Sequence, residues 1–138
     1  MRRLLPLLGI ALALAGCGGG KTVMPTAETV VGTVATSTQP SVGKGDPKAG
    51  EALFKSKGCT GCHTFTKAGS HGTIGPDLDK LADYAKKANM GSLQQFTFDS
   101  IKDPGKYLEP GFSNVMPNFG QTLTDKQIND LVAYLTQG

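Results

Sequence analysis

The chain has no tryptophan, two histidines, three cysteines and sparse aromatics. Its only arginines, Arg2 and Arg3, sit at the extreme N-terminus. Each shortage excludes something. With the two arginines set aside, 12 lysines face 11 acidic residues over the rest of the 138-residue chain. A domain built to grip nucleic acid clusters Arg and Lys, and no such cluster occurs, so no nucleic-acid partner is expected. The pI near 8.8 says little about partners for the same reason. Cys17, Cys59 and Cys62 leave one thiol over from any single disulfide, so each needs its own explanation. No apolar run reaches the roughly 20 residues of a membrane-spanning helix.

What is present begins with an address. Residues 1–16 read MRRLLPLLGIALALAG: a positive start, then an apolar run from Leu4 to Ala15. That length fits the hydrophobic region of a secretory signal, which places the mature chain outside the cytoplasm. The run ends Leu14-Ala15-Gly16-Cys17, which resembles a bacterial lipobox. Small side chains at 15 and 16 give a peptidase access to the backbone, and the Cys17 thiol offers a point of acylation. Gly18-Gly19-Gly20 follows, where nothing would bury a thiol. Each acyl CH₂ adds roughly 0.8 kcal/mol of membrane affinity, so two or three chains anchor firmly. The expectation is a lipoprotein held on a membrane by Cys17; the plainer alternative is an ordinary signal with an incidental cysteine.

Residues 18–43 are rich in Gly, Thr, Ser, Val and Pro, with Lys21 and Glu28 as their charges. They read as a flexible tether, whose roughly 26 residues reach about 25–30 Å as a coil. The predicted division is signal peptide 1–16, lipidated Cys17 and tether 17–44, and a folded domain 45–138.

The domain reads as all-α. Asp46 and Pro47 open a first helix, as N-cap and first-turn residue, and Gly58 ends the regular run. A second helix is expected within 79–88, capped by Asp77 or Asp79, with Leu78, Leu81, Ala82 and Ala85 inward. A third starts at Ser92-Leu93-Gln94-Gln95, a capping-box form, and stops before Pro104. It would bury Phe96 and Ile101, with Leu93 and Phe98 as further candidates. The last starts at Thr124-Asp125-Lys126-Gln127, another capping box. Leu123 and Ile128 sit at staple positions, and Ile128, Leu131, Val132 and Leu135 recur at helical spacing. Residues 66–76 and 103–123, full of Gly and Pro, read as loops. Four or so short helices with loops this long bury little apolar surface by themselves. Such a domain needs a staple or a cofactor core.

The stretch CTGCH at 59–63 supplies one. Spacings of three and four put Cys59, Cys62 and His63 on one helical face. A redox dithiol would want a strand-rich context, which is missing. A structural zinc needs four ligands, and only His71 remains. A plain disulfide leaves His63 unexplained. C-x-x-C-H is the pattern of c-type haem attachment, in which both thiols bond the porphyrin as thioethers and the adjacent imidazole ligates the iron. Thr60 and Gly61 are small enough to leave room for the ring.

With CTGCH at 59–63, GPDL at 75–78, and VMPNF at 115–119 followed by LTDKQINDLVAYL at 123–135, the domain resembles the small monohaem class I cytochromes c throughout 45–138. The segment SIKDPGKYLEPGFSNVMPNFGQTLT also resembles the cytochrome domain fused to some bacterial cytochrome c oxidase subunits II. The resemblance implies a small cytochrome c fold around one covalent haem c. It also implies that the Pro76 carbonyl accepts a hydrogen bond from His63, and that the first and last helices cross where Gly50, Phe54, Leu131 and Tyr134 match the pattern. Leu78, Leu81, Phe96, Ile101, Phe112 and Phe119 are candidates for the pocket wall.

For the second axial ligand the candidates are Met24, Met90, Met116 and His71. Met24 lies in the tether and Met90 in a polar turn, while His71 is too near His63 in sequence for an easy detour around the ring. Met116 stands where the family places its distal methionine, in a loop stiffened by Pro117. In one respect the chain departs from the family, since no Arg or Trp remains in the mature chain for the haem propionates. Tyr84, Tyr107, Asn118 or a lysine must serve, or water.

His/Met ligation fills both axial positions, so the iron passes electrons and admits no substrate. The expected function is that of a non-enzymatic, monomeric, membrane-tethered one-electron carrier between a quinol-oxidising complex and a terminal oxidase. Docking is expected at the exposed haem edge, with Lys55, Lys57 and Lys67 nearby if they are more than solvated surface. Two alternatives stand beside it: a haem sensor or enzyme with labile Met116, and a permanent subunit of an oxidase complex.

Overall fold

The computed structural model describes residues 42–137. The signal at 1–16, Cys17, Met24 and the tether up to residue 41 lie outside the described residues. Among the described residues there are five α-helices, α1 Pro47–Ser56, α2 Cys59–Cys62, α3 Leu81–Ala88, α4 Leu93–Lys102 and α5 Asp125–Thr136. A two-stranded ribbon, β1 Thr64–Phe65 and β2 Ser70–His71, completes the regular structure together with short 3-10 turns. The expected all-α cytochrome c fold is thus present, with five helices where four or so were expected. None of these helices is long and apolar enough to cross a membrane.

The helix starts follow from their capping chemistry. Asp46 accepts the Lys48 amide at 2.9 Å, and Pro47 fills the first position where no donor is needed. Thr124 and Gln127 form the complete capping box, the Gln127 amide reaching the Thr124 hydroxyl at 3.3 Å and the Thr124 amide reaching Gln127 Oε1 at 2.9 Å. At α4 only half of the expected box forms. Ser92 Oγ accepts the Gln95 amide, but the Gln95 side chain turns to Asp99 Oδ1 at 3.0 Å. Asp77 caps the 3-10 turn Leu78–Lys80 that leads into α3. Asp79 is drawn away to the amide and hydroxyl of Thr66, which pins the ribbon to the start of α3.

Crossing of α1 and α5 is the most extensive helix contact. Gly50 lies against the Asp130 carbonyl with no room for a Cβ, and Phe54 stacks tilted on Tyr134 with ring centroids 5.7 Å apart. The implied pattern of Gly50, Phe54, Leu131 and Tyr134 is therefore realised as packing. The core spreads from here through Phe65, Phe98, Ile101, Phe119, Leu123, Ile128 and Val132. A second cluster, Leu81, Ala85 and Phe96, joins α3 to α4.

Several expectations need correcting. Ala82 is exposed, so α3 turns Leu81 and Ala85 inward, joined by Leu78 from the 3-10 turn before it. Phe98 is fully buried, whereas Leu93 is only half-buried. In α5 the polar residues Asn129 and Asp130 are buried as well, because the segment Gly43–Asp46 lies across them. The Asp46 amide donates to Asp130 Oδ1 at 2.7 Å and the Gly43 amide to Asn129 Oδ1 at 3.0 Å. Part of the supposed loop 66–76 is strand β2, whose pairs Thr64–His71 and Phe65–Ser70 fold the chain back on itself.

Candidate haem site

The spacing of CTGCH puts Cys59, Cys62 and His63 on one helical face, but only the two cysteines lie in a helix, and that helix is separate from α1. Gly58 takes a left-handed conformation, φ 77°, which stops α1 and starts α2 as a separate turn. Only glycine adopts that backbone at no steric cost. Cys59 and Cys62, half-buried and not bonded to each other, stand one helical turn apart on α2. His63 leaves the helix in extended conformation, its amide still held by the Cys59 carbonyl at 3.0 Å. Burial pushes the Cys59 thiol above its ordinary pKa, with a smaller contribution from the neighbouring Cys62.

The ribbon brings the chain back to His63. Thr64 Oγ1 donates to the Gly72 carbonyl at 2.9 Å, and the Gly75 amide donates to the Cys62 carbonyl at 2.8 Å. Residues 72–76 thereby lie against the imidazole. His63 Nδ1 is 2.7 Å from the Pro76 carbonyl. A carbonyl only accepts, so Nδ1 carries the proton and Nε2 keeps the lone pair that a metal needs. A hydrogen bond of this kind fixes ring orientation and raises the donor strength of the other nitrogen.

His63, both cysteines and Pro76 line one cavity of about 210 Å³. Its walls come from Leu78 and Leu81 of the α3 region, Phe96 of α4, and Phe112, Met116 and Phe119 of the last long connection. Ile101 lines an inner recess of about 70 Å³, which shares Cys59, His63 and Met116 with the main cavity. All six pocket-wall candidates therefore face this space. His71 is exposed on β2, opposite Thr64, and Met90 packs against the Leu81 cluster; neither lines the cavity.

Sequence reading gave no role to several residues of the site. Ile74, Leu108 and Val115 are exposed by 58%, 46% and 63%, and all three line the cavity. Their signal was an apolar side chain in a Gly/Pro loop with no core periodicity. Gly72 and Gly75 are needed for close approach. A Cβ on Gly72 would come within 2.5 Å of the Cys62 carbonyl carbon, and one on Gly75 within 2.5 Å of His63 Cε1. Of the three lysines expected near a docking edge, Lys57 alone lines the cavity. Lys55 pairs with Glu51 at 2.6 Å, and Lys67 donates to the Gln137 carbonyl at 2.6 Å.

The fit to a porphyrin rests on this donor set. A cavity with apolar walls receives two thiols from one helical turn, an imidazole whose free nitrogen is Nε2, and a thioether. Among the described residues no group of three or more His, Cys, Asp or Glu side chains is placed to hold a bare metal ion. Such an arrangement defines a c-type haem protein.

Comparison with known proteins gives the family. Residues 47–138 match the cytochrome c family model. Cytochrome c of Ginkgo biloba is 33% identical over 107 residues, covering 67% of this chain and 88% of that protein. Cytochrome c of Guizotia abyssinica is 34% identical over 104 residues, covering 66% and 88%. The Gossypium barbadense cytochrome c is 34% identical over 106 residues, covering 67% and 90%. The chain belongs to the cytochrome c family. It is a haem-based electron carrier that works with redox partners, not an enzyme, and its cofactor is covalent haem c.

Proposed function

We propose that this chain is a lipid-anchored, monomeric one-electron carrier of a respiratory chain, accepting from a quinol-oxidising complex and donating to a terminal oxidase. Residues 1–16 are its signal, Cys17 its lipidation site, 17–44 its tether and 45–138 its cytochrome domain. The protein faces the extracytoplasmic side of its membrane. One haem is held by thioethers to Cys59 and Cys62, with His63 and Met116 as axial ligands and Pro76 orienting His63.

The single observation that carries this reading is that the imidazole engaged by Pro76 and the Met116 side chain line the same apolar cavity as both thiols. When bound, haem supplies a one-electron Fe(II)/Fe(III) couple. The chain's own residues do the rest. Pro76 and Gly75 fix the imidazole plane. Pro117 restrains the loop that presents Met116. Leu78, Leu81, Phe96 and Phe119 keep water from the buried side. With His63 and Met116 both holding the iron, no position would be left open for a small ligand. The tether confines the domain near membrane partners and raises their effective concentration.

The test is spectroscopic. The oxidised protein should show the weak sulfur-to-iron charge-transfer band at the red end of its spectrum, and the reduced protein should ignore CO. High-spin bands and rapid CO binding would instead make it a sensor or enzyme. Cys17→Ser should move the protein from the membrane to the soluble fraction. Retention by a terminal oxidase through mild-detergent purification would make it a permanent subunit rather than a free carrier.

A further inference from the structure

The cavity is apolar over most of its wall, yet one side is polar. There Tyr84 on α3 and Tyr107 and Glu109 on the segment after α4 line it together. Lys87 stands one helical turn beyond Tyr84 on the same face of α3. Its ammonium donates to Glu109 Oε1 at 2.6 Å, and the Tyr107 hydroxyl donates to Glu109 Oε2 at 2.8 Å. The Glu109 side chain is 9% exposed, so both of its oxygens are spoken for in a nearly enclosed position. Lys87 Nζ has three N–H donors and spends one on Glu109. Among the described residues the Tyr84 hydroxyl has no hydrogen-bond partner.

A haem has two ionised carboxylates on an otherwise apolar rim. Burying or half-burying them requires donors, since an unpaired charge at a low-dielectric wall is costly. The mature chain offers no arginine and no tryptophan for this. Neither Asn118 nor Lys87 lines the cavity; Lys87 meets it through Glu109, which does. Ser100, Ser113, Asn114 and Lys57 line it as well, but only Lys57 among these is charged, and it lies at the α1–α2 junction beside Cys59.

We infer that Tyr84 and Lys87, one face of α3 braced by Glu109 and Tyr107, receive the haem propionates. This rests on the covalent-haem reading and adds the residues that close the pocket's polar side. Tyr84 contributes its free O–H and Lys87 its two spare N–H donors. Glu109, itself on the wall, is a positioning residue, as it holds the Lys87 ammonium and the Tyr107 hydroxyl. The carboxylate of Glu109 beside the propionates also gives the site a like charge, which the Lys87 cation offsets. The titratable groups that face this cluster or line its cavity are Tyr84 and Lys87 from α3, Tyr107 and Glu109 from the following segment, Lys57 from the α1–α2 junction, and the thiols and His63.

The experiment uses the haem-loaded full chain and its Lys87→Gln, Lys87→Arg and Lys86→Gln forms. Lys86 is the neighbour on α3, 81% exposed at its side chain and set against Asp83 rather than Glu109, so it controls for charge alone. Reduction potential is measured against pH. Removing a cation beside a propionate disfavours its ionised form and the oxidised haem's compensation alike. Lys87→Gln should therefore raise the apparent pKa of the propionate step by about one unit, a tenfold gain in proton affinity, in line with the usual effect of a nearby opposite charge. Lys87→Arg should restore the wild-type profile, and Lys86→Gln should leave it in place. A Lys87→Gln profile that overlays that of Lys86→Gln overturns the inference. Haem mass and axial-ligand spectrum are recorded on every form. If the wild type carries no covalent haem, the underlying reading fails; if all forms carry it and only the pH profiles agree, this inference alone fails.

Discussion

Gly75 lies flat against the His63 imidazole, so close that a Cβ at 75 would stand 2.5 Å from Cε1 and 2.8 Å from Nδ1 of the ring. The next residue, Pro76, offers the carbonyl that accepts the Nδ1–H hydrogen bond. Placement of the imidazole is therefore controlled from one side by a steric requirement and a hydrogen bond on adjacent residues. Gly75→Ala should push the ring or lift the loop and stretch the Nδ1–Pro76 bond. Overpacking of this kind costs about 1–3 kcal/mol. Thermal melting of the haem-loaded protein should fall accordingly, with a changed axial-ligand spectrum. Unchanged melting and spectrum would show that the loop yields freely.

Met116→Ala should abolish the sulfur-to-iron band and open the reduced iron to CO while leaving the covalent haem mass unchanged. The covalent bonds are made by Cys59 and Cys62, so attachment does not depend on the second axial ligand. Retention of the band in Met116→Ala would move the second ligand elsewhere.

Asp130 tests how the entry of the domain is fastened. Burial raises its carboxyl pKa, but the Asp46 amide and then the Lys126 ammonium outweigh that and hold it below the ordinary carboxylate value. A group with a depressed folded pKa gives stability that is complete above its unfolded pKa and is lost as pH falls through the folded one. Denaturant unfolding measured from neutral pH downward should thus show an acid limb that Asp130→Asn flattens. At neutral pH the same change should cost about 1–3 kcal/mol, because hydrogen bonds to a charged group are lost. An acid limb identical in both proteins would contradict this.

Tyr134 makes the opposite prediction. Its hydroxyl is buried with no hydrogen-bond partner among the described residues, while its ring packs edge-on to Phe65 at 5.6 Å and tilted on Phe54. Tyr134→Phe keeps the rings and removes the unpaired oxygen, so stability should hold or rise slightly. A loss above about 1 kcal/mol would mean the hydroxyl has a partner after all.

Much of this was legible in the sequence because it is local. Asp46-Pro47, Ser92 and Thr124–Gln127 each announce a helix start through chemistry within three residues, and all three helices begin there. CTGCH announces its chemistry through its own spacing. What was not legible depends on distant partners. Asp130 and Asn129 look like the solvated face of α5 until Gly43–Asp46 folds over them. Lys67 looks like a surface cation until it reaches the carbonyl of Gln137. Gly75 looks like a turn residue until the ribbon β1–β2 brings it to His63. Ile74, Leu108 and Val115 have no periodicity of their own, since the surface they line is a cavity wall rather than a helix face.

The central claim is that one macrocycle is bonded to this chain through Cys59 and Cys62. Mass spectrometry of the purified native protein, intact and after proteolysis, measures it most directly. The account predicts the polypeptide mass increased by one haem, with the whole increment on the peptide that contains residues 59–63. A chain at its bare polypeptide mass, or an increment found on any other peptide, would contradict it.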